Sequence, residues 1–443
     1  MTDDSSDTGR RAFLAGLTAA GVGLAGCSSL SSQLDGGDGG SSATPTDTPT
    51  GTGTDTPTDT PEDGSGGNGG GEQPDDLGNY EPMQQTAASF EDLSYWTPHS
   101  GVTLEADSDT VYQGSQSARI EGRSGSIQRE FPVPVDLSNR DISIAMKIDG
   151  PIPTAFRMYL YDTGGNRTRL IQYYHDQLPG DWVRINPSID AADADMSAIS
   201  RLLITLDGGD EKKYWVDDIR FHDKTTNKGQ VMLSFDYMTR SIYEIVFPEM
   251  QKRDLKGTVS VAGDMVGNAD RLSQAELEEM KNAGWEITSM TNSFDVLAGQ
   301  SKDIQRRRME RGKQLIKEMG LGDPAAIMYP KGFCDNNTVN VVGEFHDLGF
   351  TTYDASEMGL SQSAIMGPPL VNRSRPSTAE ALKNQMGPVT DYKGLYTVHQ
   401  NEIGPNTENN RAVLREMLDA VQKRKERGDI EVVQPSDIVP EPN

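Results

Sequence analysis

From about Ser89 to Asp223 the apolar residues fall in short alternating runs: "SARIEG", "SIQREF", "DISIAMKID", "AFRMYLYD", "TRLIQYY", "WVRINPS", "SRLLITLD" and "YWVDDIRF". Gly, Asn and Asp separate them. A period of two with turn residues between runs predicts antiparallel strands and a β-sandwich. At Gly229 the pattern changes. "QVMLSFD" reads as a buried strand, "SIYEIVFPEMQKRD" as a helix and "GTVSVAG" as the next strand. "SQAELEEMKNAG" is a helix stopped by Gly284, followed by the strand "WEITSM". The long charged helix "SKDIQRRRMERGKQLIKEMG", the strand "AAIMYP", a helix near "NVVGEFHDLG" and the strand "FTTYDAS" continue the alternation. This order predicts a parallel sheet, open or closed as a barrel. In such sheets ligands meet the loops at the carboxyl ends of the strands. The chemistry is therefore expected in "FDYMTRS", "SMTNSFD", "MYPKGFCDN" and "YTVHQNE".

The first 82 residues follow neither pattern. "GRRAFLAGLTAAGVGLAGCSS" pairs Arg10 and Arg11 ahead of an apolar run too short to span a bilayer. It resembles a twin-arginine export signal, and "LAGC" resembles a lipobox in which Cys27 receives the lipid. Residues 28–82 are Ser, Gly, Thr, Pro and Asp with almost no apolar side chain, so burial cannot offset the entropy of ordering them. They read as a disordered tether. The expected organisation is a signal over 1–27, the tether over 28–82, the sandwich over 83–225 and the α/β region over 229–443. The expected location is the outer face of the cell membrane, held there by the lipid alone. Cys334 is the only other cysteine, so no disulfide within the mature chain is expected. Asp and Glu total 67 against 41 Lys and Arg, a formal charge of -26. That excess argues against nucleic acid as a partner and fits a protein kept soluble in high salt. A monomer is expected.

"LSFDYMTRS", "LSQAELEEMKNAGWEITSMTNSFDVL", "MYPKG", "LYTVHQNE" and the final "RAVLREMLDAVQKRKERGDIEVVQPSDI" occur in an order that resembles the polysaccharide deacetylase family, from about Gly229 to Val439. The resemblance implies a distorted (β/α) barrel and a metal-dependent carbohydrate esterase. It places Asp236 where the family has its general base and His399 where the family has the acid that protonates the leaving amine. Tyr237 stands in place of an aspartate metal ligand, and Met290 and Phe294 stand in place of the two histidine ligands. Met328 replaces the arginine that orients the base. Bound zinc brings the pKa of water from 15.7 to about 7. Neither Phe nor Tyr supplies an imidazole or hard carboxylate, and Met prefers soft metals. No cofactor is expected in the barrel.

The expected function is thus a surface lipoprotein of deacetylase type that binds or acts on polysaccharide without metal-dependent catalysis. The alternatives are an active deacetylase with a rearranged site and a non-catalytic structural envelope protein. Tyr237, Asn292, Asp295, Tyr329, Lys331 and Arg375 are the candidate substrate-binding residues. Arg373, placed in the same cleft, would suit an acidic or sulfated glycan or serve as a salt-bridge partner. Asp264 and Asp335 are further oxygen donors near these loops, His222 and His346 are expected at the surface, and Cys334 is expected to pack.

In the first region "SFED", "VYQGSQSARI" and "YWVDDIRF" resemble jelly-roll carbohydrate-binding modules. That resemblance implies a candidate structural calcium on Glu91, Asp107, Asp109 and Asp218, since calcium takes several hard oxygens. Trp96, Tyr173, Tyr174 and Trp182 belong either to the core or to a stack on sugar rings. Asn166 in "DTGGNRTR" lies in a glycosylation sequon.

Overall fold

The computed structural model describes residues 85–149, 155–173, 180–206, 210–352, 361–404 and 410–439. The export signal, Cys27, the tether and Tyr174 lie outside the described residues. The alternating runs form two antiparallel sheets. The first runs β3 (Val102–Asp107), β4 (Ser117–Gly122), β12 (Lys212–Asp223), β6 (Arg140–Asp149) and β9 (Val183–Ile185), with β1 (Gln85–Ala88) paired to β12. The second runs β10 (Ser188–Ala192), β8 (Arg167–Tyr173), β7 (Ala155–Asp162), β11 (Ile199–Leu206), β5 (Gly125–Val135) and β2 (Trp96–His99). Alternation assigns one face of each strand to the core: in β7, Phe156, Met158 and Leu160 are buried while Arg157 and Tyr159 are half-buried.

The later region is a parallel sheet in the order β18 (Val371–Arg373), β17 (Leu348–Thr352), β16 (Ala326–Met328), β15 (Glu286–Ser289), β14 (Thr258–Val261), β13 (Gly229–Phe235) and β19 (Leu395–Gln400). β20 (Ile430–Val432) adds beside β13. The two ends of the series meet at a single bridge. Ser374, just after β18, donates its N–H to Thr397 O at 2.8 Å and accepts the His399 N–H at 2.9 Å. The sheet is therefore a nearly closed barrel. All seven residues of β13 are buried, as expected of a strand covered on both faces.

Trp285, leading into β15, packs its ring 5.3 Å from Phe235 of β13 and 5.7 Å from Phe247. Aromatic pairs of this kind add about 0.5–1.5 kcal/mol beyond area burial. The segment read as one helix, "SIYEIVFPEMQKRD", is instead a π turn over Ile242–Val246 followed by α1 (Phe247–Gln251). Pro248 has no N–H to continue the α ladder, and the wider turn ahead of it absorbs the gap. The long charged helix Lys302–Glu318 packs against the loop after β15 through Gly312, where a Cβ would stand 2.3 Å from the Thr291 carbonyl carbon.

The two antiparallel sheets and the barrel share a buried polar seam. Asp141 of β6 takes Lys224 Nζ at 2.5 Å, Ser363 Oγ at 2.6 Å and the Ala364 N–H at 2.8 Å. Asn186 Oδ1 accepts the N–H groups of Met366 and Gly367, and Asn372 Nδ2 donates to Ser188 Oγ at 2.8 Å. These bonds hold residues 363–372 against the sheets. Removing one member of a buried ion pair strands its partner and typically costs about 3–5 kcal/mol. Asp141→Ala is expected to lower stability by that amount in urea unfolding at neutral pH, and an unchanged midpoint would show that the seam bears no load.

Candidate functional site

The loops at the carboxyl ends of the strands are joined directly to one another. Leu272 donates its N–H to Met238 O at 2.9 Å, beside a bridge between Thr239 and Arg271. The Asp264 N–H reaches Asn292 O at 2.9 Å, and Thr239 Oγ1 donates to Asn401 O at 2.8 Å. Tyr237, Met238, Thr291 and Lys331 all hold positive φ, at 66, 51, 62 and 59°. Such conformations cost non-glycine residues energy and gather where surrounding structure imposes them. Here they share one end of the barrel.

Beneath these loops lies the one charged cluster inside the barrel to which the expected catalytic residues belong. Asp236 follows β13 directly and is 3 % exposed. Its Oδ1 accepts Arg373 Nη1 at 2.9 Å and Ser260 Oγ at 2.9 Å. His399 of β19 is equally buried, with Nδ1 3.8 Å from Asp236 Oδ2, beyond hydrogen-bond reach. The Asn401 side chain lies beside the His399 ring, though no contact to either ring nitrogen among the described residues has good hydrogen-bond geometry. Burial opposes the charge on Asp236, but the Arg373 guanidinium, His399 and the Ser260 hydroxyl outweigh it and hold the carboxyl below its usual range. Burial and the charges of Arg373 and Arg375 push the His399 imidazole down to about 3, against the pull of Asp236. At neutral pH the cluster is a carboxylate paired with a guanidinium beside a neutral imidazole. A neutral imidazole is not the charged acid that a leaving amine requires.

Arg373 does not line the cleft: it is 1 % exposed and bonded to Asp236, a salt-bridge partner inside the barrel. Met328 on β16 leaves the carboxylate without the arginine that the family resemblance implies at that position, and β18 delivers one from elsewhere. The available signal was an arginine inside the strand "LVNRS", where full burial demands a carboxylate partner.

The three positions implied as metal ligands do not fit a metal ion. The Tyr237 and Phe294 rings meet edge to face with centroids 5.1 Å apart, and the Arg271 guanidinium lies 5.2 Å over Phe294. Met290 is fully buried. Tyr237 Oη accepts the Lys331 N–H at 3.2 Å, so its oxygen joins two loops. Among the described residues no group of three or more His, Cys, Asp or Glu is arranged to hold a metal.

The other expected residues scatter. Asn292 donates to Asp264 Oδ2 at 2.8 Å, and Asp295 is exposed and paired with Arg308 at 3.0 Å. Arg375 is half-buried and Lys331 exposed. Tyr329 does not line the cleft: it is fully buried and donates to Pro369 O at 2.9 Å. Asp335 caps the helix Asn336–Val342 and accepts the Thr338 N–H at 2.9 Å. Cys334 is buried, its thiol pushed up to about 12 by burial. His222 and His346 are not surface groups. They are 3 % and 4 % exposed, bonded to Ser143 Oγ at 2.7 Å and Pro324 O at 3.0 Å.

In the first region Glu91 accepts the Ser115 N–H at 2.8 Å, and Asp107 accepts the Asp109 and Thr110 N–H groups and Trp215 Nε1. Asp109 is exposed, and Asp218 is paired with Arg184 and with Arg220 at 2.7 Å. Trp96 is buried and stacked on Phe90 at 4.8 Å, and Trp182 is half-buried.

Two outcomes test the cluster. Arg373→Met leaves the Asp236 carboxylate buried and unpaired, so about 3–5 kcal/mol should be lost in urea unfolding at pH 7. A near-neutral effect would mean that the pair is dispensable. Because the folded pKa of Asp236 is depressed, its contribution is present above the ordinary carboxylate value and lost as pH falls through the folded one. His399 acts over a wider window: the folded state resists protonation, so stability falls as pH drops from 6.5 towards about 3. His222 and His346, both pushed to about 4 by burial, act in the same direction. His399→Gln is expected to flatten part of that decline; a superimposable pH profile would show that His399 is not buried neutral.

The Polysaccharide deacetylase family matches residues 223–352. YxkH of Bacillus subtilis (strain 168), assigned by name to the polysaccharide deacetylases, is 26 % identical over 131 residues, 29 % of this chain and 47 % of its own length. The chain thus spans about half the length of the curated relative it matches. The Streptococcus pyogenes deacetylase PplD, solved with acetate, is 27 % identical, with a TM-score of 0.30 over 32 % of this chain and 63 % of that one. A family 4 acetyl xylan esterase of Clostridium thermocellum, solved with a cobalt ion, is 19 % identical, with a TM-score of 0.33 over 47 % of this chain and 89 % of that one. Arg373 and His399 lie beyond the segment that the family covers. The similarity to the polysaccharide deacetylase family thus covers residues 223–352, the first part of the barrel.

Proposed function

We propose that this protein is a lipid-anchored, surface-exposed member of its family that binds polysaccharide without metal-dependent hydrolysis. The observation that carries the reading is the pairing of Tyr237 with Phe294 where metal ligands would stand. A general base needs a pKa near the working pH, whereas Asp236 is held below its usual range, and no imidazole or carboxylate stands at positions 237, 290 and 294 to hold a metal that would activate water. The competing reading, a hydrolase rebuilt on Asp236 and His399, meets a neutral imidazole and a carboxylate of low basicity. The arginine pair, the "LAGC" motif and the polar tether support export and anchoring through Cys27.

The test uses protein purified in high salt, with and without added zinc, cobalt or nickel. Metal content far below one per chain, and acetate release from acetylated polysaccharides no higher than in Asp236→Ala, are expected. Retention on at least one immobilised polysaccharide is expected alongside them. Stoichiometric metal with acetate release abolished in Asp236→Ala would sink the non-hydrolytic reading.

A further inference from the structure

Away from the barrel mouth, Tyr112 is one of four large hydrophobic side chains left exposed among the described residues, at 40 %. It lies between β3 and β4, yet it is held firmly. Its N–H and that of Gln113 both donate to Oδ2 of the buried Asp217, at 3.1 and 3.0 Å. The half-buried Trp182, just ahead of β9, brings its ring to 5.6 Å with the planes tilted by 59°. The Arg184 guanidinium stands 5.1 Å over the Tyr112 ring. Arg184 is anchored by the Asp218 carboxylate and donates to Ser143 Oγ at 2.8 Å. Arg220 bonds Asp218 at 2.7 Å and Gln113 Oε1 at 2.7 Å, placing polar groups at the edge of the aromatic pair.

We propose that Tyr112 and Trp182 form a stacking site for a pyranose ring of a polysaccharide, with Gln113 and Arg220 at its rim meeting the ring's polar substituents. This rests on the glycan-binding reading and names a place for it outside the barrel. A pyranose presents an apolar C–H face to an aromatic ring and hydroxyls around its edge, which matches apolar rings bordered by a few fixed polar groups. A cationic ligand is disfavoured because Arg184 already occupies a face of Tyr112. A nucleobase would bring phosphates to a chain of charge -26. A folded protein partner needs about 1,200 Å² or more of total buried surface, and two partly exposed rings fall well short of that. The rings are set before binding by Asp217, Asp218 and Ser143, so little ordering entropy is left to lose.

The full chain is titrated calorimetrically in high salt with cellohexaose, chitohexaose and oligogalacturonate. Binding of at least one is expected, with quenching of tryptophan fluorescence. Tyr112→Ala and Trp182→Ala should each weaken it about tenfold, the equivalent of about 1.4 kcal/mol. Tyr112→Phe, which keeps the ring, should stay within about twofold of the parent protein, since stacking needs only the π face. Tyr95→Ala, at an exposed ring outside the pair, should leave binding unchanged. Unaltered affinity in the Tyr112→Ala, Trp182→Ala double variant overturns this site while leaving the glycan reading intact. Absence of binding by the parent protein to every probe overturns both.

Discussion

The barrel depends on the ion pair between Asp236 and Arg373. It is buried, it joins strands that are far apart in the chain, and it sits where the sheet is most weakly closed. Arg373 ends β18, and the next residue, Ser374, makes the bridge that links β18 to β19. Asp236 follows β13 and accepts Ser260 from β14, while His399 of β19 lies beside it. Four strands therefore converge on one carboxylate. Two charges this deep are costly to desolvate, and only their mutual attraction and the added hydrogen bonds make the arrangement tenable. That cost also makes the pair obligatory, because neither partner tolerates loss of the other.

The same pair limits the chemistry. Held below its usual range, the Asp236 carboxylate is a weak base for unassisted water. Above it, the aromatic contact of Tyr237 with Phe294, the Arg271 guanidinium and the bond from the Lys331 N–H to Tyr237 connect loops that a metal ion would otherwise join. Apolar and cation–π packing holds the mouth of the barrel together without any ligand chemistry. The strained backbone at Tyr237, Thr291 and Lys331 persists although the donor side chains are absent. The loop geometry is therefore set by the strands and by the loop-to-loop hydrogen bonds, not by coordination.

Outside the barrel the decisive contacts are again polar and buried. Asp141, Asn186 and Asn372 lock residues 363–372 onto the antiparallel sheets. Because Arg373 directly follows Asn372, the packing of the sheets and the position of the guanidinium are mechanically linked. Legibility follows the range of the interactions involved. The period-two runs and the strand–helix alternation are local and were readable, as were Asp236 and His399 at strand ends. The departures at Tyr237, Met290 and Phe294 were readable because each is a change of side-chain chemistry at a recognisable position. Tyr329 and the two histidines His222 and His346 were misplaced because burial of a polar group depends on a partner distant in sequence: Pro369 for Tyr329, Ser143 for His222 and Pro324 for His346.

Sequence by itself determined the kinds of element, their order, the excess of acidic residues and the absence of imidazole or carboxylate side chains at positions 237, 290 and 294. Each is a property of a residue or of its near neighbours, carried by periodicity and side-chain type. Tertiary structure alone decided that Arg373 supplies what Met328 lacks, that the imidazole of His399 stays neutral, and that Tyr112 and Trp182 meet on an exposed face. Those outcomes rest on electrostatics and packing between residues tens to more than a hundred positions apart, such as the 137 separating Asp236 from Arg373. Charge pairing and desolvation depend on distance in space, which a linear pattern does not encode.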